Sequence, residues 1–319
     1  MKRFFLSLVT FVALSALAVQ NIAAQQTVHP TLYDYAENRF NFYVISDSGR
    51  NGYYEQKSCA ETMGAMAESY NPEFVAAAGD THHFMGVEST TDPLWMTNFE
   101  TIYSHPELMI PWYAVCGNHE YRGNTQANID YSAISRRWQM PSKYYSKYFE
   151  DKGTSLLVLF IDTPPLIDKY RKDSEKYPDA AQEDMEAQLK WIEQSLKESK
   201  ADWKIVVGHH PIYAYTPKSE SERINMQERV DPIMRKYGVD AYVSGHIHNF
   251  QHIRKQGSDI DYVQNSAASL ARPVSKIEGS IFCSPEEGFS LFSLDAKSLL
   301  IHFVDKNGRF IYTMERLKK

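Results

Sequence analysis

The stretch Ala76–Phe84 reads AAAGDTHHF, an apolar run that ends in Gly79-Asp80 and is followed at once by His82 and His83. A short apolar run bounded by glycine is typical of a buried strand. Carboxylate and imidazole groups at the end of such a strand are ligand types that bind metal ions. One such cluster is weak evidence, so the remaining ligands of a metal site have to come from elsewhere in the chain.

Other apolar runs end in the same way, and they read FNFYVISDSG from Phe40, PWYAVCGNHE from Pro111, WKIVVGHHP from Trp203 and VDAYVSGHIH from Val239. Their polar ends supply Asp47, Asn118, His119, His209, His246 and His248. Strands of an open α/β sheet point their carboxyl ends at one crevice, so side chains that are remote in sequence converge there. In GHIH, two imidazoles spaced i, i+2 also project to one side of an extended chain. Together the runs predict one metal site at the strand ends.

Helical patterns between the apolar runs predict a layered α/β fold. The candidate helices are Gln56–Tyr70, Leu94–Tyr103, Asp179–Ser199 and Glu222–Tyr237. After His248 the segments are strand-like, and we expect them to form hairpins of a second sheet packed on the first. The sequence therefore predicts one domain with two stacked sheets and flanking helices.

The composition is that of a soluble globular protein, with 43% hydrophobic and 23% charged residues among 319. The net charge of -6 provides no basic stripe, which argues against a nucleic-acid polymer or an anionic membrane as a partner. A small anionic substrate would need locally placed cations. We expect the protein to be a monomer.

The N-terminus begins with Lys2 and Arg3, followed by an apolar run that ends at Val19. This run is shorter than the roughly 20 residues that span a bilayer, so it predicts a cleaved secretory signal rather than an anchor. Cleavage after Ala18 or Ala24 is consistent with the small residues there, and we assign residues 1–24 to the signal. No cysteine lies in this N-terminal region, so a lipid anchor has no attachment point there. We therefore expect a secreted or periplasmic protein without a stable membrane anchor.

The motifs resemble those of the calcineurin-like metallophosphoesterases, and within them the purple acid phosphatases. That pattern is Asp-x-Gly, Gly-Asp-x-x-Tyr, Gly-Asn-His-Asp/Glu, Val-x-x-His and Gly-His-x-His. Here it stands as Asp47-Ser48-Gly49, Gly79-Asp80-Thr81-His82-His83, Gly117-Asn118-His119-Glu120, Val206-Val207-Gly208-His209 and Gly245-His246-Ile247-His248. The strand-rich tail is most like the small mammalian, tartrate-resistant type. The resemblance implies a four-layer αββα sandwich of two packed mixed β-sheets flanked by helices, in one domain over residues 25–319.

The resemblance also implies a site for two metal ions. Its ligands would be Asp80 as the bridge, Asp47 and His248 on the first metal, and Asn118, His209 and His246 on the second. A metal-bound hydroxide would attack the phosphorus of a small phosphomonoester in line. His119 would protonate the leaving alcohol, and Glu120 would orient or support its imidazolium.

One position departs from the family pattern, because His83 stands where the family has a tyrosine. The phenolate of that tyrosine binds ferric iron and causes the purple colour. Neutral imidazole removes one negative charge from the first metal's ligands, which favours a divalent pair among Fe, Zn or Mn. We expect His83 to take the ligand position of the tyrosine, with an unliganded imidazole near the site as the alternative.

The sequence identifies the residues that contact the substrate less clearly than it identifies the metal ligands. In the family, a histidine that contacts substrate often follows the Val-x-x-His segment by several residues, and the stretch PIYAYTPKSE has none. His210 or Lys218 is the candidate replacement, with His82 and Arg50 as further candidates. Two other functions stay open: a phosphodiesterase or nucleotide hydrolase on the same site, and a metal-binding module without catalysis.

Overall fold

The computed structural model describes residues 38–217, 220–265 and 268–318. The expected signal at residues 1–24 and the candidate substrate contact Lys218 lie outside these residues. The strands are β1 (Phe40–Ile45), β2 (Val75–Ala77), β3 (Trp112–Ala114), β4 (Trp138–Gln139), β5 (Tyr145–Asp151), β6 (Thr154–Phe160), β7 (Trp203–Val207), β8 (Ala241–Ser244), β9 (Phe250–Ile253), β10 (Asp261–Asn265), β11 (Ser280–Ser284), β12 (Gly288–Leu294), β13 (Ser298–Asp305) and β14 (Phe310–Leu317).

The strands form two mixed seven-stranded sheets. In the first, the order is β14-β13-β12-β1-β2-β3-β4, and in the second it is β11-β9-β10-β8-β7-β6-β5. Strands β1 to β4 run parallel to one another, as do β6, β7, β8 and β10. Parallel neighbours place their carboxyl ends at the same edge, which is the arrangement that gathers the polar strand ends.

The helices are α1 (Gln56–Tyr70), α2 (Thr125–Asp130), α3 (Asp168–Lys172), α4 (Met185–Glu198), α5 (Glu220–Arg229) and α6 (Asp231–Lys236). They flank the two packed sheets, which confirms the predicted α/β sandwich. Among the described residues, no helix has the length and apolar character that crossing a membrane requires.

The prediction that the strands after His248 form a second sheet is confirmed for β9, β10 and β11 and wrong for β12, β13 and β14. Strand β12 pairs antiparallel with β1, with Phe40 opposite Leu294, so β12, β13 and β14 extend the first sheet. In the second sheet, β10 pairs antiparallel with β9 and parallel with β8. An alternating strand pattern predicts a strand but does not identify its partner.

Aromatic side chains fill the space between the sheets. The Phe42 ring stacks on Phe74 at 4.6 Å between ring centres, and Phe74 stacks on Phe149 at 4.7 Å. Phe42 lies on the first sheet and Phe149 on the second. Burying such rings supplies much of the hydrophobic free energy that holds two sheets together.

Three of the four predicted helices have different bounds in the structure, and one of them, predicted over Asp179–Ser199, covers only Met185–Glu198. The segment predicted over Leu94–Tyr103 is helical over residues 94–100, with π-helical geometry at Met96–Glu100. The Glu222–Tyr237 segment is two helices, because α5 ends at Arg229 and α6 begins at Asp231 with Pro232 in its first turn. Proline has no N–H to donate to the preceding turn, so a continuous helix is interrupted there.

Candidate metal centre

Polar side chains from both sheets meet at the carboxyl ends of five strands. Asp47 follows β1, Asp80 follows β2 and Asn118 follows β3, while His209 follows β7 and His246 with His248 follows β8. Each of these side chains is at least nine-tenths buried. The edges of the two sheets therefore form one buried polar centre between them.

The backbone at this centre adopts a conformation that residues with a Cβ rarely take. The φ angles are 51° at Asp47, 54° at Asp80, 74° at His246 and 60° at His248. Left-handed backbone at residues other than glycine costs free energy and is concentrated at functional sites. Gly79, with φ of 87°, allows the approach of His209, since a Cβ there would lie 2.6 Å from its Nδ1.

One side of the centre is built from Asp47 and His248. The Nε2 atom of His248 lies 3.1 Å from Oδ1 of Asp47. The other ring nitrogen, Nδ1, donates to the carbonyl of Leu270 at 2.8 Å, so Nε2 faces the carboxylate. Oδ2 of Asp47 accepts from the Ser46 hydroxyl and the His246 backbone N–H, both at 2.7 Å. This leaves Oδ1 directed into the centre.

The other side is built around Asp80. Its Oδ2 lies 3.2 Å from Nε2 of His209, whose Nδ1 donates to the Ala78 carbonyl at 2.8 Å. The Nδ1 atom of His246 lies 3.3 Å from the same His209 Nε2. Nε2 of His209 therefore has two neighbours, Oδ2 of Asp80 and Nδ1 of His246. A single proton on Nε2 cannot form a full hydrogen bond to both.

The donor set fits a pair of cations. Oδ1 of Asp47, Oδ1 of Asn118 and both ring nitrogens of His83 are buried without a hydrogen-bond partner among the described residues. A buried polar atom without a partner costs about 1–3 kcal/mol, so several together call for a ligand that they bind jointly. Asp47, His83 and His248 can offer ligand atoms within 4.8 Å of one another, and so can Asp47, Asp80 and His209.

Ionisation states at the centre favour metal binding. Burial alone would raise the pKa values of Asp47 and Asp80, but the imidazoles of His248 and His209 hold both well below the usual range. Burial lowers the pKa of His83 well below its ordinary value. Burial opposes the charge on His209, but the Asp80 carboxylate outweighs it and raises the pKa of His209 to about 9. A cation between His209 and Asp80 replaces that proton.

His119 lies at the edge of the centre, with a partly exposed ring. Its Nε2 is 3.8 Å from Oδ2 of Asp80, and its Nδ1 donates to the Phe84 carbonyl at 2.7 Å. The backbone N–H of His119 donates to Oδ1 of Asp80 at 2.9 Å. The ring is therefore anchored through Nδ1 and presents Nε2 to the buried ligands.

Glu120 does not face the His119 ring as expected. Its Oε2 accepts from the backbone N–H groups of Asp80 at 2.9 Å and Gly117 at 2.7 Å, and its Oε1 accepts from that of His82 at 2.9 Å. Burial, followed by the Asp80 carboxylate, raises the pKa of Glu120 to about 7. Through these hydrogen bonds, the Glu120 carboxylate connects the loop that carries Asp80 to the loop that carries His119.

Two expected substrate contacts are fully buried. His82 packs against the Trp95 ring at 4.4 Å and lies 3.4 Å from the Asn98 amide. His210 bonds to Thr163 at 2.7 Å through Nδ1 and to Tyr170 at 2.8 Å through Nε2. The structure therefore places both behind the ligands instead of against a substrate. Arg50 is mostly buried, with its guanidinium 5.0 Å from the Phe84 ring centre.

Sequence reasoning missed Glu222, which is buried in the first turns of α5. Its Oε2 lies 3.1 Å from Nε2 of His246, and its Oε1 accepts from Tyr170 at 2.9 Å and Lys169 at 2.7 Å. Since Nε2 of His246 is occupied in this way, Nδ1 is the nitrogen available to a metal. No motif marks Glu222, because the contact exists only once α5 packs against the end of β8.

Comparison with known proteins identifies the family to which the chain belongs. The model of the calcineurin-like phosphoesterase family matches residues 40–250, and this range includes all five sequence motifs. The chain belongs to the calcineurin-like phosphoesterase family. It is therefore a hydrolase that acts on phosphate esters, and its curated relatives are purple acid phosphatases.

Purple acid phosphatase 17 of Arabidopsis thaliana is 32% identical over 83% of this chain and 78% of that protein. Tartrate-resistant acid phosphatase type 5 of Homo sapiens is 26% identical over 90% of this chain and 94% of that protein. Among solved structures, GAP50, the anchor in the inner membrane complex of Plasmodium, has a TM-score of 0.76 at 23% identity, covering 88% of this chain and 89% of that one. The last likeness concerns the fold alone.

Proposed function

We propose that this phosphoesterase is an exported phosphomonoesterase whose reaction depends on two metal ions. The observation that carries the proposal is the convergence of buried carboxylate, amide and imidazole ligands at the ends of five strands. The first metal site would contain Asp47, Asp80, His83 and His248. The second metal site would contain Asp80, Asn118, His209 and His246. When bound, the cations would neutralise phosphoryl oxygens and lower the pKa of a water molecule.

Residues of the chain would position the metal ions and donate the proton to the leaving group. Asp80 lies between the two groups of ligands and would hold both sites at a fixed separation. His119, anchored through Nδ1, would give a proton from Nε2 to the leaving oxygen. Glu120 would be a positioning residue that acts by fixing the Asp80 and Gly117 backbones. A divalent pair is proposed, since imidazole at His83 supplies no negative charge.

Export is proposed from the N-terminal sequence, with Lys2 and Arg3 before a short apolar run. Sequencing the N-terminus of protein recovered from outside the cytoplasm tests it. A mature chain that begins after Ala18 or Ala24 is expected, and retention of Met1 would contradict it.

The function is tested by metal analysis of purified protein together with a substrate panel. We expect two metal ions per chain and faster turnover of phosphomonoesters than of matched diesters. Faster turnover of diesters would favour the phosphodiesterase alternative. Two bound metals without hydrolysis of either class would favour a metal-binding module.

The contact between Glu222 and His246 leads to a prediction about the second metal site. Glu222→Gln removes the negative charge 3.1 Å from Nε2 of His246. Loss of such an outer partner typically costs roughly 10–100-fold in metal affinity. We expect a loss of this size for the second metal, measured by calorimetric titration, with the first metal retained.

Glu220→Gln is the matched control, because Glu220 begins the same helix but is exposed. It should bind both metals as the wild type does. Equal affinities in Glu222→Gln and Glu220→Gln would contradict a role for Glu222 in orienting His246.

His83 leads to a spectroscopic prediction. Its Nε2 lies 3.6 Å from Oδ2 of Asp80, and it can share a ligand group with Asp47 and His248. Because it has no phenolate ligand, the wild-type protein should lack the tyrosinate-to-iron charge-transfer absorption band. It should therefore not be purple, even when it is loaded with ferric iron. Its activity should depend on divalent metals and survive reductants that leave metals bound. His83→Tyr should bind ferric iron more tightly and acquire a visible absorption band.

His83→Phe is the matched control, since it has the tyrosine ring without the hydroxyl and should show no band. A purple wild-type protein would refute the divalent assignment. A colourless His83→Tyr protein with confirmed ferric iron would place residue 83 outside the coordination sphere.

A further inference from the structure

The cleft above the metal ligands has a wall of basic side chains. It is lined by the proposed metal ligands Asn118, His246 and His248, by the proposed proton donor His119, and by the cations Arg122, Lys169, Lys176 and Arg272. Lys169 and Lys176 come from α3 and the segment after it, Arg122 follows the motif at residues 117–120, and Arg272 lies between β10 and β11.

The charges on this wall are unevenly compensated. Lys169 lies 2.7 Å from a carboxylate oxygen of Glu222, so its charge is largely neutralised. Among the described residues, no carboxylate lies within the 4.0 Å of an ion pair from Arg122 or Lys176. Asp173 also lines the cleft, but its Oδ1 accepts from the backbone N–H of Lys176 at 3.2 Å. Three cations of the wall, Arg122, Lys176 and Arg272, therefore have no acidic partner within 4.0 Å among the described residues.

Arg122 and Lys176 are held at one place by Tyr177. The Arg122 guanidinium lies 5.8 Å from the centre of the Tyr177 ring, and the Lys176 ammonium lies 5.6 Å from it. The Tyr177 ring is itself buried, so it gives both cations a fixed neighbour. Such contacts orient a cation and leave its charge available.

Arg122 also lies next to His119, the proposed proton donor. The Nη1 atom of Arg122 lies 3.1 Å from Nδ1 of His119 and 3.1 Å from the Phe84 carbonyl oxygen. A leaving oxygen that receives a proton from His119 must lie beside its ring. That oxygen faces Nε2, whereas Arg122 lies beside Nδ1 on the other side of the ring. Because His119, Arg122 and Lys176 line one cleft, a leaving group that extends away from the metal ligands would pass along Arg122 and Lys176.

We propose that Arg122 and Lys176 form a subsite for a negatively charged leaving group, so that the preferred substrates carry a second phosphate or a carboxylate beyond the scissile bond. This inference rests on the proposed phosphomonoesterase function. Hydrolysis consumes water, breaks the bond from phosphorus to the leaving oxygen, and returns a proton to that oxygen, so no further reactant is needed. Phosphorylated hydroxy acids and diphosphates share the required chemistry.

The test compares 4-carboxyphenyl phosphate with the neutral isostere 4-carbamoylphenyl phosphate, at low salt and with excess metal. The measured quantity is the ratio of the two kcat/KM values. Lys176→Gln should lower this ratio roughly 3–5-fold, and Lys176→Glu roughly tenfold, as expected for one partly exposed charge pair. Differences in leaving-group acidity cancel, because both substrates are assayed with every variant. Salt should reduce the wild-type ratio.

Lys172→Gln is the matched control, because Lys172 belongs to α3, is 79% exposed and does not line the cleft. It should keep the wild-type ratio. Inorganic diphosphate distinguishes the two sources: a loss in Lys176→Gln with both anionic substrates supports a general anion subsite, and a loss confined to diphosphate assigns it to phosphate.

Hydrolysis of both aryl phosphates with unchanged ratios in Lys176→Gln and Lys176→Glu, together with unchanged hydrolysis of inorganic diphosphate, would overturn the subsite and leave the proposed function intact. A metal-loaded wild type that hydrolyses no monoester would overturn the proposed function, and the subsite with it.

Discussion

Asp80→Ala is expected to lose most of both bound metals and nearly all phosphatase activity. Oδ2 of Asp80 lies 3.2 Å from His209 on one side and 3.6 Å from His83 on the other. No other carboxylate among the described ligands reaches imidazoles of both proposed metal sites in this way. The loss of metal affinity should exceed the roughly 10–100-fold cost of losing an outer partner. Elemental analysis after dialysis and turnover of a phosphomonoester measure both effects.

The controls separate lost ligation from lost folding. Asp80 has a φ of 54°, and asparagine tolerates this backbone better than alanine, so Asp80→Asn is the second variant. Asn118→Ala should weaken chiefly the second metal and keep the first. Near-full activity in metal-loaded Asp80→Ala would refute the two-metal proposal.

The strand ends were predictable because their chemistry is local. A run such as Val75–Ala77 is buried and apolar, and the Gly-Asp that follows both ends the strand and supplies a ligand. Helix α1 was predicted with its observed bounds, Gln56–Tyr70. Asn71 marks the end of this helix in the sequence, because asparagine tolerates the left-handed backbone that ends many helices. In the structure its φ is 42°, and its N–H donates to the Ala67 carbonyl at 2.9 Å.

Helix boundaries failed where one side chain outweighs the periodic pattern. The predicted helix from Asp179 begins only at Met185, because the Asp184 carboxylate accepts from the Ala187 N–H at 2.9 Å and caps it. The interruption before Pro232 was readable from the proline alone. These errors concern a few residues and leave the layer order unchanged.

Contacts between distant segments could not be predicted from local patterns. Glu120 looked like a partner of His119 because the two are neighbours in sequence, but its carboxylate turns inward to three backbone N–H groups. His210 follows a ligand directly, yet its ring is held by Thr163 and Tyr170 from other elements. Adjacent residues on an extended chain point to opposite sides, so adjacency to a ligand is poor evidence of contact with substrate.

His119→Ala is expected to keep both metals and to lose roughly 10²–10⁴-fold in rate on alkyl phosphates. An alkoxide is a poor leaving group, so its departure depends on the proton that Nε2 of His119 would supply. The Phe84 carbonyl fixes Nδ1 at 2.7 Å and directs Nε2 toward the centre. Acidic phenols leave without much help, so 4-nitrophenyl phosphate should lose much less. Steady-state rates of metal-loaded protein on both substrates measure the difference.

His105→Ala is a suitable control, because His105 is a partly exposed histidine whose Nε2 pairs with Glu68 at 3.4 Å, and its removal should leave both rates unchanged. Metal analysis of His119→Ala establishes that the loss is not one of ligation, since the backbone N–H that donates to Asp80 at 2.9 Å is retained in the variant. If the two substrates lose the same factor, His119 positions the phosphoryl group and the proton comes from another source. A loss that grows with the pKa of the leaving alcohol is the signature of a general acid, and a purely structural role would not produce it.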